Sequence, residues 1–221
     1  MPEKNAIGPP VAPPCGVLAC SPRAGGNSDT AARLFAKGYA AVGGSEPKPI
    51  MLREHTVLPC TGCGACRRAM RMPPESGLAS GVHDFSCPLA AKDQSAPLLT
   101  FLAEMPSLCL VSPIYFYHLP ALLKALLDRT QPFWHLDDMG INHFRDIERT
   151  CRLILIGARP RGKRLFEGSL LTLKYALAPL GITLAEPLLL YGLDQPAALA
   201  GDSRAVDRVL QYGKQAAGPC S

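Results

Sequence analysis

Residues 16–41 read Gly16-Val17-Leu18-Ala19-Cys20, then Ser21-Pro22-Arg23-Ala24-Gly25-Gly26-Asn27-Ser28, then a longer amphipathic stretch from Asp29 to Ala41. The first five residues are a short apolar run of strand length. The next eight are turn formers and hydroxyls, and the thirteen that follow have the length and spacing of a helix. A strand feeding a helix through a short polar loop is the opening of a βαβ unit. The rest of the chain repeats the pattern. Strands are predicted over Pro49–Arg53, Leu108–Val111, Arg152–Ile156 and Thr183–Leu190, and helices over Pro97–Glu104, Phe166–Leu180 and Ser203–Lys214. Between them Leu119, Leu122, Leu123, Leu126 and Leu127 recur at i, i+3, i+4, i+7 and i+8, one apolar helical stripe. The Leu153–Ile156 run is unbroken by polar residues, as a parallel strand buried on both faces requires. Five strands alternating with helices predict an α/β fold: an open, doubly wound, five-stranded parallel sheet.

The chain has 221 residues, 22 of them proline and 20 glycine. At roughly 100–200 residues per domain that is one domain with room for an insertion. The expected division is a flexible Pro-rich arm over 1–14 and a single domain over 15–221. A cysteine-rich loop at about 55–93, which shows no sustained period, interrupts that domain. Residues 1–14 have no apolar run of the export-signal kind, and no stretch approaches the ~20 apolar residues that span a bilayer. The net charge of +5 lacks the dense one-sided pattern of a nucleic-acid binder. A cytoplasmic protein with no membrane or nucleic-acid partner is expected.

In an open α/β sheet, ligands bind outside the carboxyl ends of the strands, so the loops after Cys20, Val111 and Ile156 share one rim. Ser21–Ser28 has the makings of an anion cradle: hydroxyls, small residues, the free N–H groups of a helix start and the Arg23 charge. It is neither a Walker A loop nor GxGxxG. A capped turn with Asn27 or Ser28 as N-cap accounts for it equally.

Nine cysteines form an odd set, which a fully paired disulfide framework would not use. Cys60, Cys63 and Cys66 fall within seven residues and Cys87 follows; Cys15, Cys20, Cys109, Cys151 and Cys220 are scattered. The scattered thiols read as small buried hydrophobes.

Three motifs occur in order: Ser21-Pro22-Arg23…Gly26-Asn27-Ser28, Cys60-x-Gly62-Cys63-x-x-Cys66, and Ser112-Pro113-Ile114-Tyr115-Phe116…Pro120…Leu123-Lys124…Asp128-Arg129. Together they resemble the flavodoxin-like NAD(P)H-dependent FMN reductases, and more closely the iron–sulfur flavoproteins among them. The resemblance covers about Gly16 to Arg129. It implies that Ser21, Arg23, Gly26, Asn27 and Ser28 hold the FMN phosphate and that Pro113, Ile114, Tyr115 and Phe116 lie along the flavin ring. A flat, largely apolar ring suits such a shelf. It further implies that Cys60, Cys63, Cys66 and Cys87 carry a [4Fe–4S] cluster, with residues 67–86 as an insertion before the fourth ligand.

The cysteines leave other readings open: zinc, for which paired and separated CxxC units are the usual pattern, or packed thiols in a cluster-free flavoprotein. The resemblance implies an FMN-dependent redox protein passing electrons between NAD(P)H or ferredoxin, FMN and the cluster, with an unknown acceptor and as a homodimer or homotetramer. The alternatives are a cluster-free NAD(P)H:FMN or quinone oxidoreductase and a zinc-binding scaffold. Arg67, Arg68 and Arg71 follow the triplet, where they would balance an anionic cluster or form a solvated face. Arg159, Arg161, Lys163 and Arg164 lie after the fourth strand on the ligand rim, facing a flavin, a dinucleotide phosphate, a partner or solvent. His83, His118, His135 and His143 have no metal-ligand spacing.

Overall fold

The computed structural model of the chain describes residues 12–42, 45–69, 87–142, 144 and 149–218. Residues 1–11 of the expected arm, residues 70–86 of the expected insertion, Arg71, His83, His143 and Cys220 lie outside the described residues. The elements run β1 (Cys15–Ala19), α1 (Asn27–Ala40), β2 (Ile50–Met51), α2 (Ala65–Ala69), α3 (Ser95–Glu104), β3 (Ser107–Pro113) and α4 (Ala121–Asp128). They continue with α5 (Gln131–Asp138), β4 (Arg149–Ile156), α6 (Glu167–Leu177), β5 (Ile182–Leu184), β6 (Leu188–Leu190), α7 (Ala198–Gly201) and α8 (Ser203–Ala217).

Every strand pairing is parallel, in the order β2-β1-β3-β4-β5, with β6 also on β4. This is the expected α/β sheet with the order of a flavodoxin-like fold, except at its last position. The strand predicted over Thr183–Leu190 is two strands on one neighbour: β5 pairs with Arg149–Cys151 and β6 with Ile154–Ile156. Pro187 stands in the gap and has no N–H to give a ladder. Opposite it, the Leu153 N–H donates to the Tyr212 hydroxyl (3.3 Å), which itself donates to the Glu186 carbonyl (2.7 Å). A side chain from α8 thus completes the ladder that Pro187 interrupts.

Alternation along each strand divides the core in two. Leu18, Leu108, Leu110, Leu153 and Leu155 face α3, α4 and α6. Val17, Ala19, Cys109, Val111, Ile154 and Ile156 face α1 and α8. Each fully buried leucine contributes about 1.5–3 kcal/mol over its exposed state. The expected leucine stripe is present: Leu119, Leu123, Leu126 and Leu127 are buried against the first cluster, though the helix begins only after Pro120. Helix α1 meets α8 backbone to backbone. A Cβ on Gly38 would lie 2.2 Å from the Leu210 carbonyl oxygen, and one on Gly213 would lie 2.3 Å from that of Phe35. No helix among the described residues is long and apolar enough to cross a membrane.

Candidate functional site

The loop after β1 is shaped by its own polar groups. The Ser21 hydroxyl accepts from the Arg23 N–H at 3.1 Å. Gly25 takes a left-handed conformation (φ 68°) that L side chains rarely adopt. Its N–H donates to the Asp29 carboxylate at 2.8 Å. The first helical bond of α1 runs from Thr30 N–H to the Gly26 carbonyl, so the N–H groups of Asn27, Ser28 and Asp29 precede the ladder, as at any helix start. Asp29 is buried and would repel an anion, but Arg53 pairs with it at 2.8 Å. Arg23 is exposed and, like the Ser28 hydroxyl, has no partner among the described residues.

The segment after β3 turns sharply. Tyr115 and His118 exchange backbone hydrogen bonds (2.9 and 3.0 Å) around Phe116 and Tyr117, whose φ values of 50° and 65° are both left-handed. Two consecutive aromatic residues in that region store strain of roughly 1–2 kcal/mol each. Arg159 holds the turn from outside: it donates to the Tyr117 hydroxyl at 3.0 Å, with its guanidinium 5.5 Å from that ring's centroid. His118 is engaged with Thr172 on α6 at 3.1 Å.

These two loops meet. A cleft enclosing about 90 Å³ is lined by Ser21, Arg23, Gly26, Asn27, Ser28, Pro113, Ile114 and Tyr115. Eight of the nine residues singled out in the sequence therefore share one cavity wall. Phe116 does not: it sits at the turn apex with 101% of its surface exposed, because the left-handed turn carries it away from the cleft. Asn27 also differs from expectation in its side chain. Its amide donates to the carbonyls of Leu193 (3.1 Å) and Gln195 (2.8 Å) and accepts from the Leu199 N–H (2.9 Å). That leaves its backbone N–H, which precedes the helical ladder, as the group not engaged in these bonds. Ile156, Ala158, Leu193, Asp194 and Pro196 complete the wall. No sequence motif marked these five, although Ile156 and Ala158 follow from their place at the end of β4.

The cysteine-rich loop leaves and re-enters the fold at one point. Leu58 donates its N–H to Asp93 (2.8 Å), and Arg129, at the end of α4, bonds both the Leu58 carbonyl (3.0 Å) and Asp93 (2.7 Å). Ser95 hydrogen-bonds Arg129 and Asp93 as well. Beyond this clamp, Cys60, Cys63, Cys66 and Cys87 all line one hollow of about 480 Å³, together with Asp128, Gln131 and His135. Gly62 and Gly64 are left-handed (φ 66° and 68°), and the Gly62 N–H reaches the Cys60 sulfur at 3.4 Å. The Ala65 N–H holds the Cys63 thiol below its usual pKa, helped by the Thr61 hydroxyl and the Arg68 guanidinium. Burial raises that of Cys66, with Cys87 and Cys60 adding to it.

The expected four-thiolate site is not closed. Among the described residues no three His, Cys, Asp or Glu side chains are placed to hold one metal ion. Cys60 and Cys63 are exposed while Cys66 and Cys87 are half-buried, so the four thiols face one hollow without gathering around a common centre. Three of the scattered cysteines match expectation. Cys20, Cys109 and Cys151 are buried, and burial pushes all three thiols up, Cys151 to about 12.

A family described as NADPH-dependent FMN reductase matches residues 14–146. No curated protein matches the chain. Among solved structures, a flavone reductase superposes with a TM-score of 0.60 at 14% identity, over 92% of this chain and 61% of its own. The chain thus spans about three fifths of that protein's length. An NAD(P)H:quinone oxidoreductase from Methanothermobacter marburgensis gives 0.58 at 13% identity over 94% and 98% of the two chains. An FMN-dependent NADH-azoreductase from Bacillus anthracis str. Ames Ancestor, solved in complex with FMN, gives 0.57 at 12% identity over 92% and 99%. At such identities these likenesses establish the fold.

Proposed function

The chain belongs to the NADPH-dependent FMN reductase family, and on that premise we propose that it is a flavin-dependent oxidoreductase taking reducing equivalents from NAD(P)H to a small oxidant such as a quinone. The observation that carries this reading is the convergence of residues 21–28 and 113–115 on one cleft at the carboxyl ends of β1 and β3. The groups present fit FMN. Three helix-start N–H groups, the Ser28 hydroxyl and Arg23 would hold its phosphate. Pro113, Ile114 and Tyr115 would support its ring from one side, with Ile156 in the same wall. The enclosed 90 Å³ is small beside the ~300–1,000 Å³ of whole ligand sites. It would take only part of the cofactor, where the phosphate loop meets Pro113, Ile114 and Tyr115, and the rest of the flavin would extend out of it. Bound flavin supplies hydride acceptance and donation. The chain supplies position: both loops spring from paired strand ends, and Asn27 and Arg159 brace them. The names of the quinone and azo reductases of like fold point the same way.

The test is binding before turnover. FMN affinity is read from flavin fluorescence in the wild type and in Arg23→Gln. Losing one charge-assisted phosphate contact should weaken FMN by about tenfold and leave riboflavin, which has no phosphate, unchanged. A wild-type protein that binds neither flavin refutes the reading.

A second reading, a [4Fe–4S] cluster on Cys60, Cys63, Cys66 and Cys87, is favoured by one observation: all four thiols line one hollow and backbone N–H groups are aimed at two of their sulfurs. The donors are right in kind for a cluster but are not closed on a centre, and no step of the proposed reaction runs through one. Under this reading ferredoxin is an alternative donor, and a homodimer or homotetramer would bring hollow and cleft of different subunits together. Iron and acid-labile sulfide, measured beside FMN after anaerobic reconstitution, decide it. About four of each per chain, lost in Cys63→Ser with FMN retained, supports the cluster. FMN without iron removes it.

A further inference from the structure

Among the described residues, Phe116, Tyr117 and Arg164 are the non-glycine residues with a left-handed backbone (φ 50°, 65° and 66°), and they fall on one patch of surface. The turn after β3 brings the first two there. The segment from Arg159 to Gly168 brings the third, and both of its ends rest on Tyr117. Arg159 donates to the Tyr117 hydroxyl from over the ring. At the start of α6, a Cβ on Gly168 would lie 3.2 Å from the Tyr117 carbonyl oxygen and 3.4 Å from the His118 ring. Arg161, Lys163 and Arg164 lie between these two anchors, all exposed. Arg164 pairs with Glu167 at 2.6 Å, while Arg161 and Lys163 have no partner among the described residues. Residues 159–168 thus set four cations against one carboxylate beside a turn whose apex, Phe116, buries nothing. Strained backbone persists where a function uses it, at ligand clamps and switch regions among other places. A fully exposed phenyl ring gains nothing from the packing of its own chain, so the strain at Phe116 is not repaid within the monomer.

We propose that this turn and the cations beside it are a docking surface for an acidic protein, with Phe116 seated in an apolar pocket of the partner and Arg161 and Lys163 on carboxylates around that pocket. Aromatic and arginine side chains are the residues in which protein interfaces concentrate their energy, and an unbalanced set of cations selects a partner of opposite charge. Arg159 and Arg164 have a different part: they hold the turn and the loop in place. A single-stranded nucleic acid would need a basic groove along which successive bases stack. Here one apex projects and the cations sit on one short loop. Tyr115, next to the apex, lines the cleft, so the partner would stand at the cleft mouth. Recognition by this surface needs no bound flavin.

The experiment uses the full chain and three labelled probes: a peptide with a leucine core flanked by glutamates, the same core flanked by glutamines, and an oligothymidylate. Fluorescence anisotropy measures their binding to wild type, Phe116→Asn, Arg161→Gln/Lys163→Gln and a charge-matched control on α8, Arg204→Gln/Lys214→Gln. Asparagine tolerates the left-handed region, so the first variant keeps the turn and removes the ring. Sedimentation velocity reports the oligomeric state of each protein. Wild type should bind the acidic peptide about tenfold more tightly than the neutral one, and added salt should narrow that gap. Removing the ring, or both free charges, should weaken the acidic peptide by about tenfold, with the control within about twofold of wild type. Several results overturn the proposal: no binding of the acidic peptide by wild type, equal binding of the two peptides, an equal loss in the control, or tighter binding of the oligothymidylate. An oligomer that dissociates in Phe116→Asn also overturns it, because the surface would then belong to a second copy of this chain.

Discussion

The clamp at the mouth of the cysteine-rich loop concentrates more buried charge than any other ion pair among the described residues. Side-chain exposure is 2% for Arg129 and 0% for Asp93 at a separation of 2.7 Å. Asp93→Asn keeps the shape and removes the charge. It leaves Arg129 buried and uncompensated, a change that costs about 3–5 kcal/mol in comparable pairs. For a chain of this length about 2–4 °C of melting temperature accompanies each kcal/mol, so a drop of about 6–20 °C is expected. Acid supplies a second readout. Burial by itself favours the protonated form of Asp93. The Ser95 hydroxyl, the N–H groups of Leu58 and Ser95, and Arg129 outweigh it and hold the carboxyl below its usual value of 3.8. An unfolded carboxyl takes up its proton at higher pH than this one. The clamp's contribution is therefore whole above about pH 5 and is lost as pH falls through the folded value, below about 4. Urea melts followed by circular dichroism at pH 7 and pH 3.5 measure both effects. Wild type should lose more than the variant between the two pH values. A variant within about 1 kcal/mol of wild type at pH 7 would refute the reasoning.

Other perturbations follow from single features. Gly38→Ala places a methyl 2.2 Å from the Leu210 carbonyl oxygen and should destabilise by about 1–3 kcal/mol in thermal melts; a neutral result would mean that α1 and α8 separate easily. Phe116→Asn should raise stability by about 0.5–1 kcal/mol, because asparagine tolerates the left-handed region and Phe116 buries nothing; a loss would show that the ring is held by something else. In metal-free folded protein at pH 7.5, mass spectrometry should find iodoacetamide on Cys63 first and on Cys20, Cys109 and Cys151 last, since donors lower the first thiol and burial raises the others.

The strand–loop–helix alternation was legible because apolar runs and turn residues mark it residue by residue, and the cleft was legible because two of its walls carry motifs. What escaped the sequence depends on distant or conformational facts. The Asn27 side chain reads as free to meet a phosphate until its partners, Leu193, Gln195 and Leu199, are seen at the other end of the chain, which leaves the backbone N–H for that role. Phe116 reads as part of the shelf because a sequence does not display φ. Helix α5 was hidden by Pro132, which looks like a break but sits in the first helical turn, where no N–H is needed. The strand over Thr183–Leu190 was read through Pro187 because the leucines beyond it continue the apolar run. The cysteine quartet was legible as a group, since one hollow collects it, but its spacing along the chain does not report whether four sulfurs share a centre.

The tie between Asn27 and the segment around Leu193 has a consequence in time. The loop proposed to seat a phosphate is translated early, yet its brace lies 166 residues later. At about 5–20 residues per second of synthesis, the brace follows the loop by roughly 8–33 s. Helix α8, which closes on Gly38, emerges later still. A nascent chain that has passed Tyr115 already owns the two motif-bearing walls of the cleft, but neither the wall from Ile156, Ala158, Leu193, Asp194 and Pro196 nor the tether that fixes the first loop. Cofactor loading therefore belongs to the finished polypeptide. A ribosome-stalled fragment ending before Leu193 should hold flavin poorly even with every motif residue present.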